Sequence, residues 1–181
     1  MSARAALRAA TREEHERVDQ LFSALDLSRI EDYRLFLLAQ AAAYLPTEAE
    51  LDRAGAAQLV PDWPERRRAD LLKADLAVLG AAEPEPIPSP AFNSPAEMLG
   101  AIYVLEGSRL GGAVLKRNLP DATPCSFLDA GQASGSWRKL LDNLDRLLYE
   151  PSQLKDAVGA ARIVFHRFEA GGLRYLETHR A

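Results

Sequence analysis

Apolar residues recur three and four positions apart along almost all of this 181-residue chain, and no run alternates at a period of two. β-Branched residues are scarce as well. That spacing predicts an all-α bundle of six to eight helices. A chain of this length can bury one good core and is short for two, so residues 1–181 are expected to form one domain.

The first helix carries a stripe of Arg8, Thr11, His15, Asp19 and Phe22. Tyr33, Phe36, Leu37, Tyr44 and Leu45 then keep helical spacing up to Pro46, where the helix is expected to end or kink, with residues 48–57 continuing it. Pro64 suits the first position of a third helix, with Leu72, Leu76 and Leu79 on its buried face. Residues 80–95 hold Pro84, Pro86, Pro88, Pro90 and Pro95 and read as a plain extended connection over the surface. Ser94 or Pro95 opens the next helix, which runs to about Asn118; residues 119–135 read as a loop. Trp137, Leu140, Leu141, Leu144 and Leu148 mark another helix. Val158, Ala161, Phe165 and Phe168 mark the last, with Gly171 and Gly172 interrupting it before Leu173 and Leu176.

Two features do not belong to an ordinary core. Gly107, Gly111 and Gly112 fall within six residues of an apolar helical segment. Each glycine inside a helix costs about 1 kcal/mol relative to alanine. Such a cluster allows a bulky flat object against the backbone, a bend, or close helix packing. The second feature is the mixed stripe around His15. An aspartate four residues after a histidine can hold one ring nitrogen and leave the other for a metal. Arg8 lies two turns earlier, roughly 10 Å along an ideal axis.

Together these segments resemble the heme oxygenase family, and within it the bacterial branch that supplies biliverdin to bacteriophytochromes. Leu7-Arg8-Ala9-Ala10-Thr11-Arg12-Glu13-Glu14-His15 resembles the proximal helix, whose histidine ligates iron. Ile102-Tyr103-Val104-Leu105-Glu106-Gly107-Ser108-Arg109-Leu110-Gly111-Gly112 resembles the distal helix, which kinks at its glycines over the other heme face. The likeness spans residues 5–176, and the two motifs stand in the family's order and spacing.

The resemblance implies heme b as both cofactor and substrate, with His15 as axial ligand. Heme is then cleaved with O₂ and a reductant to biliverdin, CO and iron. Gly107, Ser108, Gly111 and Gly112 take the distal catalytic positions. Arg8, Thr11, Asp19, Tyr103, Arg138, Lys139 and Phe165 are the expected cofactor contacts beside His15, with Phe22 and Phe168 as further apolar lining. Roughly 10 Å suits the reach from iron to the propionate edge, which favours Arg8 as a propionate partner. The electrons would come from a ferredoxin, a flavodoxin or a reductase. Two positions depart from the common pattern. Ser108 stands where many members carry the aspartate that organises distal water, and Asp19 stands where relatives commonly have glutamate.

Composition narrows the alternatives. A net charge of −4 with no dense basic stripe argues against a nucleic-acid partner. One cysteine, Cys125, excludes an internal disulfide and fits a reducing cytoplasm. The first residues lack the apolar core of a signal peptide, and no stretch is expected to serve as a membrane span. Three other readings remain. The same fold can carry or sense heme without turning it over. It can also work without heme, as in thiamine-degrading or di-iron relatives, although no second helix supplies a Glu-x-x-His to match the carboxylates beside His15. A thiol hydrolase would need Cys125 in an electropositive setting. His166 and His179 are assigned to structure or surface.

Overall fold

The computed structural model describes residues 2–131 and 135–180, with side chains through Leu176. Among these residues there is no strand. The helices are α1 (Ala3–Ala10), α2 (Arg12–Phe22), α3 (Ile30–Ala54), α4 (Ala56–Leu59), α5 (Trp63–Arg66), α6 (Ala69–Val78), α7 (Pro95–Leu115), α8 (Ser126–Asp129), α9 (Ser136–Leu147) and α10 (Pro151–Arg180). Those of eight residues or more are α1, α2, α3, α6, α7, α9 and α10, within the six to eight expected.

The spine of the molecule is α10, about 45 Å long at 1.5 Å per residue. It packs against α1, α2, α3 and α7. Glycines set three of these crossings. A Cβ on Gly100 of α7 would collide with the Ala157 carbonyl of α10, and one on Gly171 with the Ala39 carbonyl of α3. A Cβ on Gly172 would collide with Leu21 of α2. The expected interruption at Gly171 and Gly172 therefore does not occur. The helix runs straight through them, and their missing side chains let two neighbours approach its backbone.

Pro46 does not end its helix either, because α3 continues to Ala54. Proline has no N–H to give the carbonyl four residues back. Here Ile87 fills that place, its N–H donating to Ala42 O at 2.8 Å. The proline-rich stretch is thus a strap fastened across the bundle, with the Ile87 side chain buried. The buried Arg167 of α10 donates to Ile87 O at 2.6 Å and to Ser89 Oγ at 2.9 Å. Burial lowers the Arg167 guanidinium to about 10.

The single third helix expected from Pro64 is two. One turn, α5, carries the proline, and Arg67 then turns extended before α6. The break is held by Glu48, whose carboxylate accepts the N–H groups of Arg68 at 2.8 Å and Ala69 at 3.1 Å. Leu72 and Leu76 are buried as expected.

Ser94 caps α7, accepting the Glu97 N–H at 3.2 Å. By length and composition the stretch Pro95–Asn118 could cross a membrane, which the sequence reading did not anticipate. More than half of it is buried within the fold, against α3, α8, α9 and α10, so it serves as a core helix.

Asp75 joins α6 to α8. It is buried, and its carboxylate accepts the Ser126 and Phe127 N–H groups at 3.0 and 2.8 Å. These are donors that the start of a helix leaves without intrahelical partners. Asp75→Ala is expected to cost about 2–4 kcal/mol, since two charge-assisted bonds go and the buried Phe127 donor is orphaned. Urea unfolding measures this, and a loss below about 1 kcal/mol would contradict the anchoring role.

Candidate functional site

His15 lies in the first turns of α2. Its side chain is 60% exposed, and its Nδ1–H donates to Asp19 Oδ2 at 2.9 Å. The pairing needs only helical geometry, because residues four apart share a face. Nε2 is left available. The His15 ring also meets Phe165 of α10 edge-on, with centroids 5.7 Å apart. An imidazole held at one nitrogen and braced at its edge, yet open to solvent, suits a metal bound from outside.

The stripe around His15 is not one ideal helix. At Thr11 the backbone leaves helical angles (φ −111°, ψ 12°), which separates α1 from α2. Hydrogen bonding continues through this bend, from Thr11 N–H to Leu7 O and from His15 N–H to Thr11 O, each 3.0 Å. Thr11 is buried and its hydroxyl donates to Leu7 O at 2.8 Å, so its polar atom serves its own helix. Arg8 is exposed on the other side of the bend.

On α7 the three glycines differ. A Cβ on Gly107 or Gly111 would meet nothing within 4 Å, whereas one on Gly112 would lie 3.3 Å from Leu128 of α8. Gly112 is a packing position, and the other two present bare backbone to open space. Beside them Leu110 and Val114 are 51% and 58% exposed. Bare backbone flanked by uncovered apolar side chains is what a flat, largely apolar ligand would cover. A flat macrocycle with an iron centre therefore fits the residues present.

Basic side chains come from α1 and α9. Burial raises the Tyr103 phenol, and Arg4 and Arg8 of α1 pull it back toward its ordinary value, which places both cations near this ring. Tyr103 stacks on Trp137 of α9 at 6.0 Å. Arg138 and Lys139 follow Trp137 and are exposed. Lys139 lies close enough to Asp62 to lower its carboxyl, although that lowering comes mainly from Arg66 acting against burial.

Behind the glycines lies a buried polar cluster. Arg68 is fully buried, its guanidinium over the rings of Tyr44 at 5.1 Å and Phe127 at 4.6 Å. It donates to Ser108 Oγ at 2.8 Å and to Leu105 O at 2.9 Å. The Ser108 hydroxyl in turn donates to Leu105 O at 2.6 Å. Glu106, also buried, takes Arg66 at 2.7 Å and Arg109 at 3.0 Å. Arg66 reaches Ser136 O at 2.8 Å and Arg109 reaches Ala130 O at 2.7 Å. These bonds tie α7 to both sides of the connection between α8 and α9.

The heme oxygenase family model matches residues 1–170 of the chain. The chain belongs to the heme oxygenase family. It is 30% identical over 169 residues to heme oxygenase PigA of Pseudomonas aeruginosa, covering 87% of this chain and 85% of that protein. It is 35% identical over 112 residues to a heme oxygenase of Xanthomonas campestris, covering 59% of this chain and 67% of that one. The fold superposes on the heme oxygenase of Neisseria meningitidis, solved with NO and CO bound, with a TM-score of 0.81 at 22% identity. That match covers 98% of this chain and 93% of the other. The heme oxygenase of Leptospira interrogans gives 0.74 at 22% identity, over 96% and 100%. The family degrades heme, and this chain is an enzyme of it.

In this heme oxygenase, the structure brings His15, Asp19 and Phe165 together, and separately Arg8, Tyr103 and the start of α9. It turns Gly112 and the Thr11 hydroxyl to internal packing. Phe22 meets Phe36 edge-on at 5.5 Å, and Phe168 is buried in the core. His166 is exposed and takes Arg17 at 3.3 Å, while the side chain of His179 lies outside the described residues. Cys125 has its thiol raised by burial, the reverse of what a nucleophilic thiolate needs. No group of three or more potential metal-binding side chains occurs among the described residues, so nothing there favours a di-iron centre. Sequence reasoning missed Arg66, Arg68, Glu48 and Arg109. The one local signal was Glu106, a carboxylate in an apolar helix that needs a buried cation.

Proposed function

We propose that this heme oxygenase binds heme b between α2 and α7, with His15 Nε2 as the axial ligand, and cleaves it to biliverdin, CO and iron. The observation that carries this reading is the pairing of a solvent-open, Asp19-held imidazole with unfilled backbone at Gly107 and Gly111 in one fold. Bound heme supplies both the iron that activates O₂ and the porphyrin that is oxidised. Asp19 fixes the His15 tautomer, and an imidazole ligand with a modest hydrogen bond avoids the strong electron push of a thiolate. Arg8, Arg138 and Lys139 supply charge for the propionates, and the Tyr103 hydroxyl supplies a hydrogen bond. Phe165 lines the proximal side.

Ser108 acts in the place of the family's distal aspartate. Its hydrogen goes to Leu105 O and one lone pair takes Arg68, so its remaining lone pair can accept one hydrogen bond. The side chain can therefore orient a water but cannot itself protonate one. Behind it, the Tyr44 ring lies under the Arg68 guanidinium, and Glu48 accepts the Arg68 N–H. Burial raises the Glu48 carboxyl, against the lowering by the Arg68 and Ala69 N–H groups that it accepts. Electrons come from a separate ferredoxin, flavodoxin or reductase. The likeness to the bacterial branch supports a cytoplasmic enzyme that hands biliverdin to a bacteriophytochrome.

The test is a hemin titration followed by ascorbate under air, with catalase present because free peroxide degrades heme without turnover. A stoichiometric Soret band that decays to a biliverdin spectrum is expected. A band that forms and persists would make the protein a heme carrier or sensor.

A further inference from the structure

The bend between α1 and α2 is gripped from outside by α10. Arg162 Nε and Nη2 donate to Ala10 O at 3.1 and 2.8 Å, and Nε stands 3.3 Å from Glu14 Oε1. Ala10 is the last residue of α1, and Glu14 lies in the first turn of α2, next to His15. One planar guanidinium thus bridges the two sides of a joint whose hinge is Thr11. Three residues further along α10, Phe165 braces the His15 ring.

Glu14 makes this grip more than a surface contact. It is buried, and its Oε2 has no hydrogen-bond partner. Arg162 is the partner its carboxylate has among the described residues. Without Arg162, a buried carboxylate would be left unpaired on a helix hinged one turn before His15, and the first turn of α2 would swing outward to hydrate it. That motion carries the imidazole with it. Asp19 cannot prevent it, because Asp19 rides on the same helix.

We propose that Arg162 is a positioning residue that sets the direction of the proximal helix, and through it the placement of His15 Nε2 toward iron. The inference rests on His15 being the axial ligand. It assigns Arg162 no contact with heme. Arginine is required rather than any cation, since only its fork reaches the Ala10 carbonyl through two N–H groups while pairing with Glu14.

The test is a coupling measurement. Hemin affinity by optical titration and the iron–histidine stretching band of the reduced complex by resonance Raman are measured for wild type, Arg162→Ala and Arg162→Lys. The same Arg162 substitutions are then made in His15→Ala protein reconstituted with free imidazole, whose ligand is not attached to α2. Arg162→Ala is expected to weaken hemin binding about tenfold and to shift and broaden the band, as loss of a residue supporting a metal ligand does. Arg162→Lys keeps the charge beside Glu14 but not the fork, and should recover only part of the affinity. In the imidazole-reconstituted background both substitutions should change affinity by no more than about twofold. Equal losses in the two backgrounds would overturn the inference and leave the axial-ligand reading standing. An unchanged affinity and band in Arg162→Ala would overturn it too. Hemin binding indifferent to His15→Ala would overturn the axial-ligand reading and this inference with it. Circular dichroism of the apoprotein checks folding, and should Arg162→Ala not fold, Arg162→Lys carries the same comparison.

Discussion

His15→Ala is expected to abolish the stoichiometric hemin Soret band and all turnover, while the apoprotein keeps its fold. The two halves of this expectation have separate causes. The His15 side chain is 60% exposed, and its pairing with Asp19 is a surface contact between residues four apart, worth a few tenths of a kcal/mol. The edge contact with Phe165 adds little more, so the apoprotein should lose no more than about 1 kcal/mol. Heme loses its axial bond. A residue that merely supports a metal ligand already costs 10–100-fold in affinity when removed, so loss of the ligand itself should exceed about 100-fold. Imidazole added to the variant should restore a Soret band. A His15→Ala protein that binds hemin with unchanged affinity and spectrum would exclude this residue as the ligand.

Filling the bare backbone of α7 should have an equally large effect with the opposite sign on stability. Gly111→Leu places a side chain where a Cβ meets nothing within 4 Å. In the apoprotein the change replaces a helix-interior glycine with a good helix former, and stability should rise by about 0.5–1 kcal/mol. The same side chain then occupies the volume in which the proposed reading seats the macrocycle, and hemin affinity should fall by at least about 100-fold, equivalent to roughly 3 kcal/mol. Gly112→Ala is the contrasting case. Its Cβ would press on the Leu128 side chain, so its effect belongs to the packing of α8 rather than to heme. Thermal unfolding and hemin titration of both variants separate the two glycines. A Gly111→Leu protein that is stabilised and still binds hemin normally would remove this face of α7 from the site.

Much of the site could be read locally. The spacing of His15 and Asp19 is a property of one helix turn, and their contact in the structure follows from it. The glycine cluster is legible for the same reason, because the cost of glycine in a helix is local. Which glycine serves the slot is not local. Gly107 and Gly111 differ from Gly112 only in what lies opposite, and for Gly112 that is Leu128, on a separate short helix. Nothing local distinguishes the three arginines at 66–68, yet Arg66 and Arg68 are buried while Arg67 is exposed. Their partners are far away in sequence, Glu106 and Ser108 each forty residues on.

The sequence by itself determined the helical class, the ligand candidate with its aspartate, and the helix on which bare backbone is exposed, since each depends on residues within a turn or two. Only the tertiary structure decided that Pro46, Gly171 and Gly172 lie inside continuous helices, because what makes them tolerable there is a neighbour. Ile87 takes the Ala42 carbonyl that Pro46 leaves free, and α3 and α2 lie where side chains on Gly171 and Gly172 would have been. The grip of Arg162 on the joint before His15 belongs to the same class, joining residues about 150 positions apart that share no local signal.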